Sequence, residues 1–171
     1  MLFRSDSRVL YAGTSNGRVQ VSIDNGLTWR VTAQLPNRFV TSIAIDPQFP
    51  GQALVTLSGF SSAHVLRTDN FGDAWLDVSG NLPDIPVNAS LVDAASPQTI
   101  YLGTDIGVFV RVAEGSWAPL KDGLPNVVVL GLTQNPATGL LAAATHGRGA
   151  FTMGTARPGS SAPRQAVDRK S

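Results

Sequence analysis

Short apolar runs broken by polar turns recur along the whole chain. Val9 to Thr14 (VLYAGT) is echoed by Ala53 to Leu57 (ALVTL), Thr99 to Thr104 (TIYLGT) and Leu140 to Thr145 (LLAAAT). Runs this short and this uniformly apolar suit strands covered on both faces. After a tight turn a second strand is predicted each time: Arg18 to Ile23, Ala63 to Thr68, Val108 to Val112 and Ala150 to Met153. Gly17 and Gly107 stand at matching turns, where a positive φ costs least for glycine. A third strand is predicted to start at each of Trp29, Trp75 and Trp117. A fourth covers Phe39 to Ile45, Val87 to Val92 and Val127 to Leu132. No window sustains a 3.6-residue period, so almost no helix is expected.

The runs belong to a repeat. The tryptophans are spaced by 46 and 42 residues, and the pairs Leu35-Pro36, Leu82-Pro83 and Leu124-Pro125 by 47 and 42. A third series, Ile45-Asp46-Pro47, Val92-Asp93 with Pro97, and Gln134-Asn135-Pro136, drifts with them. A period of that length is the period of a four-stranded propeller blade. The expected fold is therefore all-β: a partial β-propeller of about three and a half four-stranded antiparallel blades, about fourteen strands in all. The units run 9–51, 52–97 and 98–139, with a closing hairpin at 140–153. Residues 154–171, rich in Pro, Ser, Gly and Arg, are expected to be a disordered tail. Propellers close with about four to eight blades, so the chain is expected to be the C-terminal part of a larger ring or to pair with a second copy of itself. Two copies of about fourteen strands would give about seven blades of four.

Composition narrows the function classes. Apolar residues at 43% and charged residues at 15% describe a globular chain. The net charge of +1 conceals a division: the stretch 156–171 holds Arg157, Arg164, Arg169 and Lys170 against Asp168. The remainder has nine basic and eleven acidic residues, and so lacks the electrostatic footprint of a nucleic-acid binder. With no cysteine, disulfides and thiolate metal sites are excluded. No run approaches the roughly 18 apolar residues of a membrane helix. Met1 to Asp6 lacks the apolar core of a secretory signal, so a soluble chain without an address is expected.

Ser22-Ile23-Asp24-Asn25-Gly26-Leu27-Thr28-Trp29 fits the pattern Ser-x-Asp-x-Gly-x-Thr-Trp at every fixed position. It resembles the Asp-box, or BNR, repeat of sialidases, sortilin-type receptors and xyloglucanase-like propellers. Asp24 can accept N–H bonds across the turn, Gly26 supplies the strained conformation, and Trp29 is expected to bury a large aromatic area between blades. The second copy, Thr68 to Trp75, has Asn70 at the aspartate position, Gly72 at the glycine and Ala74 for threonine. The third, Arg111 to Trp117, is a residue short and has no aspartate. Ser22, Asp24, Gly26, Thr28, Trp29, Asn70, Gly72, Trp75 and Trp117 are thus structural candidates. Tyr101 to Phe109, Gly123-Leu124-Pro125-Asn126 and Ala144 to Phe151 also resemble the closing blades of bacterial BNR-like propellers, so the likeness spans residues 9–153.

Candidate chemistry is sparse. The sialidase resemblance implies a Phe/Tyr-Arg-Ile-Pro segment and a Tyr/Glu nucleophile pair. Phe3-Arg4-Ser5-Asp6 supplies two residues of the first, and the sole glutamate is Glu114, in the third copy. A glycosidase needs two carboxylates about 5–10 Å apart, for which Asp84, Asp93, Asp105 and Asp122 are candidates. Asp69, Asn70 and Asp73 lack the alternation of a calcium loop. His64 and His146 are too few for a histidine zinc site, and His64 is expected to be partly exposed in a strand. No catalytic residue, metal ligand or cofactor is assigned. Arg148, His146 and Asp105 are the candidate ligand contacts: Arg148 can clamp a carboxylate or phosphate, and Gly147 and Gly149 can bring backbone close to a neighbour. The expected function is a non-enzymatic binding or scaffold module that meets a protein or glycan at the blade-loop face. The alternatives are a fragment of a BNR-type glycoside hydrolase and an assembly factor like the propellers that help build photosynthetic complexes.

Overall fold

The computed structural model describes residues 2–4, 8–93, 95–120 and 123–154. All regular structure in this region is β. The first sheet comprises β1 (Leu2–Arg4), β2 (Leu10–Gly13), β3 (Val19–Ser22) and β4 (Arg30–Val31). The second holds β5 (Val40–Ile45), β6 (Ala53–Leu57), β7 (Val65–Thr68) and β8 (Leu76–Asp77). The third holds β9 (Val87–Val92), β10 (Thr99–Thr104), β11 (Gly107–Val112) and β12 (Ala118–Pro119). A three-stranded sheet ends the series: β13 (Val129–Gln134), β14 (Leu140–Thr145) and β15 (Ala150–Gly154). Each sheet is an antiparallel meander in chain order, and the first strands β1, β5, β9 and β13 pack against one another in turn. The architecture is that of consecutive propeller blades, three of four strands and one of three.

Two expectations are corrected. The strand near residue 40, expected to close the blade before it, opens the next sheet instead, because Ile45 pairs with Ala53 and Val40 with Leu57. The same holds for β9 and β13. The sheets accordingly run 2–31, 40–77, 87–119 and 129–154, and the described strands number fifteen rather than fourteen, with β1 the addition. Two copies would therefore supply eight sheets rather than seven. The expected tail lies, apart from Gly154, outside the described residues, as do Asp122, Ser5 and Asp6.

The second strands of the two middle sheets are buried because sheets cover them on both sides. β6 is buried along its whole length, and β10 at every position but its first. Three apolar clusters fill the spaces between successive sheets. Tyr11, Ile43, Val55 and Leu57 anchor the first, Leu54, Val87, Leu102 and Trp117 the second, and Tyr101, Val129, Leu141 and Met153 the third.

One irregularity repeats. The register skips Thr41 in β5, Asn88 in β9 and Leu130 in β13, at the same spacings as the Leu-Pro pairs. A bulge kinks a strand and re-aims the extra side chain. Each therefore stands at the start of an inner strand, at the end of the sheets where β2–β3, β6–β7, β10–β11 and β14–β15 turn.

Candidate functional site at the loop end of the blades

That end gathers the polar candidates. Asp105 lies in the β10–β11 turn, and its Oδ1 accepts a hydrogen bond from Nδ2 of the bulged Asn88 at 2.9 Å. In the preceding blade the bulged Thr41 donates to Val87 O at 2.5 Å and pairs with Thr56 at 2.8 Å. Both bulges thus tie an inner strand to its surroundings, while the third, Leu130, is 54% exposed. His146 and Arg148 are exposed on the β14–β15 turn, which Thr145 closes by donating N–H and Oγ1–H to Gly149 O. Asp105, His146 and Arg148 share one end of the sheets, yet no hydrogen bond or ion pair joins them.

Gly147 and Gly149 do not bring backbone close to anything, contrary to expectation: a Cβ at either would meet nothing within 4 Å. Their φ angles of 79° and 74° show that they serve the turn itself. His64 is also corrected. It precedes β7, is 4% exposed, and its Nε2 lies 3.0 Å from Asp84 Oδ1. The same oxygen accepts Ser61 N–H at 2.6 Å. His64 and Asp84 therefore pin the β6–β7 loop to the β8–β9 connection. Arg38 donates to Phe60 O at 3.4 Å across the same region.

Around these contacts the loop end exposes large apolar side chains. Phe39, Phe60, Ile106 and Leu130 are 53%, 56%, 42% and 54% open to solvent. Sequence reasoning missed this feature: Phe39 and Leu130 fall in predicted strands and read as core, while Phe60 and Ile106 fall in turns, where residue type does not reveal exposure.

The opposite end carries the turns with the repeated octapeptide. The Ser22 hydroxyl donates to Asp24 Oδ1 at 2.8 Å and accepts Gly26 N–H at 2.8 Å. Thr28 donates its N–H to Asp24 Oδ1 (2.9 Å) and its Oγ1–H to Oδ2 (2.5 Å). These hydrogen bonds, from Thr28 above all and then Ser22, hold the exposed Asp24 carboxyl at about 2. In the second turn Thr68 and Asn70 repeat the frame: Thr68 donates to Asn70 Oδ1 at 2.9 Å and accepts Gly72 N–H at 2.8 Å. Ala74 N–H donates to Asn70 Oδ1 at 3.1 Å. Asp73 is ion-paired with Arg30 of the preceding sheet at 2.7 Å.

Burial of the three tryptophans runs opposite to the integrity of their turns. The second and third pack backwards: Trp75 Nε1 donates to Thr32 Oγ1 and Trp117 Nε1 to Val78 O, both on the connection from the preceding sheet, whereas Trp29 Nε1 donates to Gly26 O of its own turn. Trp117 is 4% exposed, but Trp29 is 39% exposed, because among the described residues no sheet precedes its own. The expectation that Trp29 is buried between blades is thus not met, for a reason of position in the series.

No family model matches the sequence, and no curated protein sequence does. Solved structures do. A GH74 enzyme of Niastella koreensis superposes with a TM-score of 0.70 at 15% identity, over 87% of this chain and 26% of that one. The GH74 xyloglucanase of Xanthomonas campestris gives 0.69 at 19% identity, over 87% and 27%. YCF48 bound to a D1 peptide gives 0.63 at 17% identity, over 95% and 51%. The chain thus spans about a quarter of the GH74 chains and about half of YCF48. At such identities the likeness establishes architecture alone, and that architecture is a run of β-propeller blades.

Proposed function

We propose that the chain is a non-enzymatic binding module made of Asp-box (BNR-type) blades, part of a larger propeller whose loop end docks a protein or glycan. The observation that carries this is the row of half-open apolar side chains, Phe39, Phe60, Ile106 and Leu130, spread over successive sheets at the end where Arg148 and His146 are exposed. Apolar anchors beside a cation are the composition of a docking surface. The carboxylates at that end are already committed to structure, Asp84 to His64 and Ser61, Asp105 to Asn88. That arrangement serves loop rigidity better than acid–base chemistry, in which a carboxylate must face the substrate. Among the neighbours, YCF48 is described as bound to a peptide, which is compatible with a propeller that grips protein.

The second reading, a fragment of a glycoside hydrolase, is favoured by the GH74 likeness. Two assays on the purified full chain separate them. Incubation with xyloglucan and a polysaccharide panel is expected to release no reducing sugar; release would support the hydrolase. A partner captured from native extract should be retained by the wild type and lost with F39S/F60S. Equal capture by both proteins would remove the loop end as the docking surface.

A further inference from the structure

The third octapeptide-like turn has gained something as well as lost its aspartate. The pairings Leu10–Ser22, Ala53–Thr68 and Ile100–Arg111 place Arg111 at the position where Ser22 and Thr68 fold a hydroxyl into their own turns. Arg111 makes no such bond. Its guanidinium lies over Trp117, 4.8 Å from the ring centroid, and the residue is only 6% exposed. Its Nε is buried with no hydrogen-bond partner among the described residues. Burial pushes its pKa down, yet a guanidinium stays charged at neutral pH. A buried cation of this kind calls for a carboxylate.

Among the described residues no carboxylate hydrogen-bonds to Arg111. Arg111 borders a cleft of about 800 Å³ between the second and third sheets, at the end opposite the loops. The other charged groups lining it are Asp46, Arg67, Asp69 and Glu114. Asp46 Oδ1 accepts N–H bonds from Gln48 (2.7 Å) and Phe49 (3.2 Å) and closes its own turn. Arg67 holds the other two acids: its NH1 donates to Glu114 at 2.7 Å and its NH2 to Asp69 at 3.4 Å. Glu114 lies close enough to act on Arg111 through space, but its hydrogen bond goes to Arg67. Among the described residues, Arg67 therefore has two carboxylates and Arg111 is bonded to none.

We infer that this cleft is a binding site for an acidic peptide segment, with a peptide carboxylate seated on Arg111 over Trp117. Side-chain amides of Gln48, Gln52 and Gln98 line the cleft and can pair with peptide backbone, while Val92, Pro97 and Ile100 offer apolar contact. A glycan fits less well. Among the described residues Phe49 is the only aromatic one lining the cleft, and the Trp117 face that would stack on a sugar is covered by Arg111. The site is at the far end of the sheets from the loop surface proposed above, so either can fail without the other.

Titration of the full chain with the peptide N-acetyl-Ala-Glu-Glu-Ala-amide, followed by calorimetry, tests the site. Saturable binding is expected, weakened about tenfold or more when the glutamates are replaced by glutamines, and likewise in R111Q. R18Q, which removes the same charge at the loop end, should leave binding unchanged. Equal binding of the two peptides, equal binding by R111Q, loss with R18Q, or no binding would overturn the site. Tighter binding of an oligogalacturonate than of the peptide would overturn the peptide assignment in favour of an acidic glycan. Because R111Q could unfold, the Arg111 Nε–H resonance of the wild-type protein gives an independent reading. It should shift on titration with the acidic peptide, and an unmoved resonance at saturation sinks the proposal.

Discussion

Asp24 receives hydrogen bonds from Ser22 and from both the N–H and hydroxyl of Thr28, and all three favour the ionised carboxylate. Its pKa falls from 3.8 to about 2. A carboxyl with a depressed folded pKa stabilises the fold above its unfolded pKa, and that contribution disappears as pH falls through the folded value. The window for Asp24 thus runs from about pH 4 down to about pH 2. Asn70, in the second turn, performs the same geometry without a charge, accepting from Thr68 and from Ala74 N–H. D24N should therefore fold, with a lower melting temperature than the wild type at pH 7. The gap should narrow as pH is lowered through that window and be smallest near pH 2. Thermal unfolding of both proteins across this range decides it, and a gap independent of pH would mean that Asp24 acts through shape alone.

Between elements, two of the three junctions between sheets seat a side chain on a glycine. A Cβ on Gly13 of β2 would overlap Val40 Cγ1, and one on Gly103 of β10 would lie 2.8 Å from Val129 Cγ1. Val40 and Val129 are the first residues of β5 and β13, and they are 2% and 0% exposed. Gly13 has no need of a positive φ, so the effect of a substitution there is steric. G13A should destabilise by about 1–3 kcal/mol, the usual range for overpacking. The penalty should shrink in a V40A background, because the two residues share one contact. Urea unfolding of the single and double variants measures the coupling; simple additivity would show that the sheets do not meet there. Strands such as Ala53–Leu57 and Leu140–Thr145 were legible because a short apolar run between turn residues has few other outcomes. Pairing was not. Nothing in Val40–Ile45 says whether it joins the strand before it or the one after it, since the connections on either side are polar and irregular. β1 escaped notice because three residues carry too little pattern. At the candidate sites, the geometry of Ser22 to Trp29 followed from residue identity, whereas Arg111, first residue of the shortened third copy, looked like erosion of a motif. The register confirms that it stands in the place of a hydroxyl, and only the structure shows it buried over Trp117.

Across the molecule, four sheets in series leave an outward face at each end. Tyr11, Leu54 and Tyr101 point forward from the first three sheets and are buried. The matching place in the last sheet is Ala142, and Ala144 takes the place of Gly13 and Gly103. Leu140 on the same face is 44% exposed, and Val31 in β4 of the first sheet is 57% exposed. β15 pairs only with β14, so it also offers a free strand edge among the described residues. Faces of this kind bury themselves against other blades, whether those of a longer chain or of a second copy. Supplied with no other blades, the purified chain should associate through them, with a scattering mass that rises with concentration above the 17.9 kDa of one chain. L140E should shift the equilibrium back towards one chain, since it puts a charge into the seam. The form of the association carries further information. The contact joins the last sheet of one copy to the first of the next, so it is heterologous, and it either closes or propagates. A discrete two-chain species would mean that eight sheets can close a ring, whereas an open series would mean that the curvature demands a different number of blades. A mass fixed at one chain at every concentration would show that these faces do not recognise one another, and the second copy would be ruled out as the missing half.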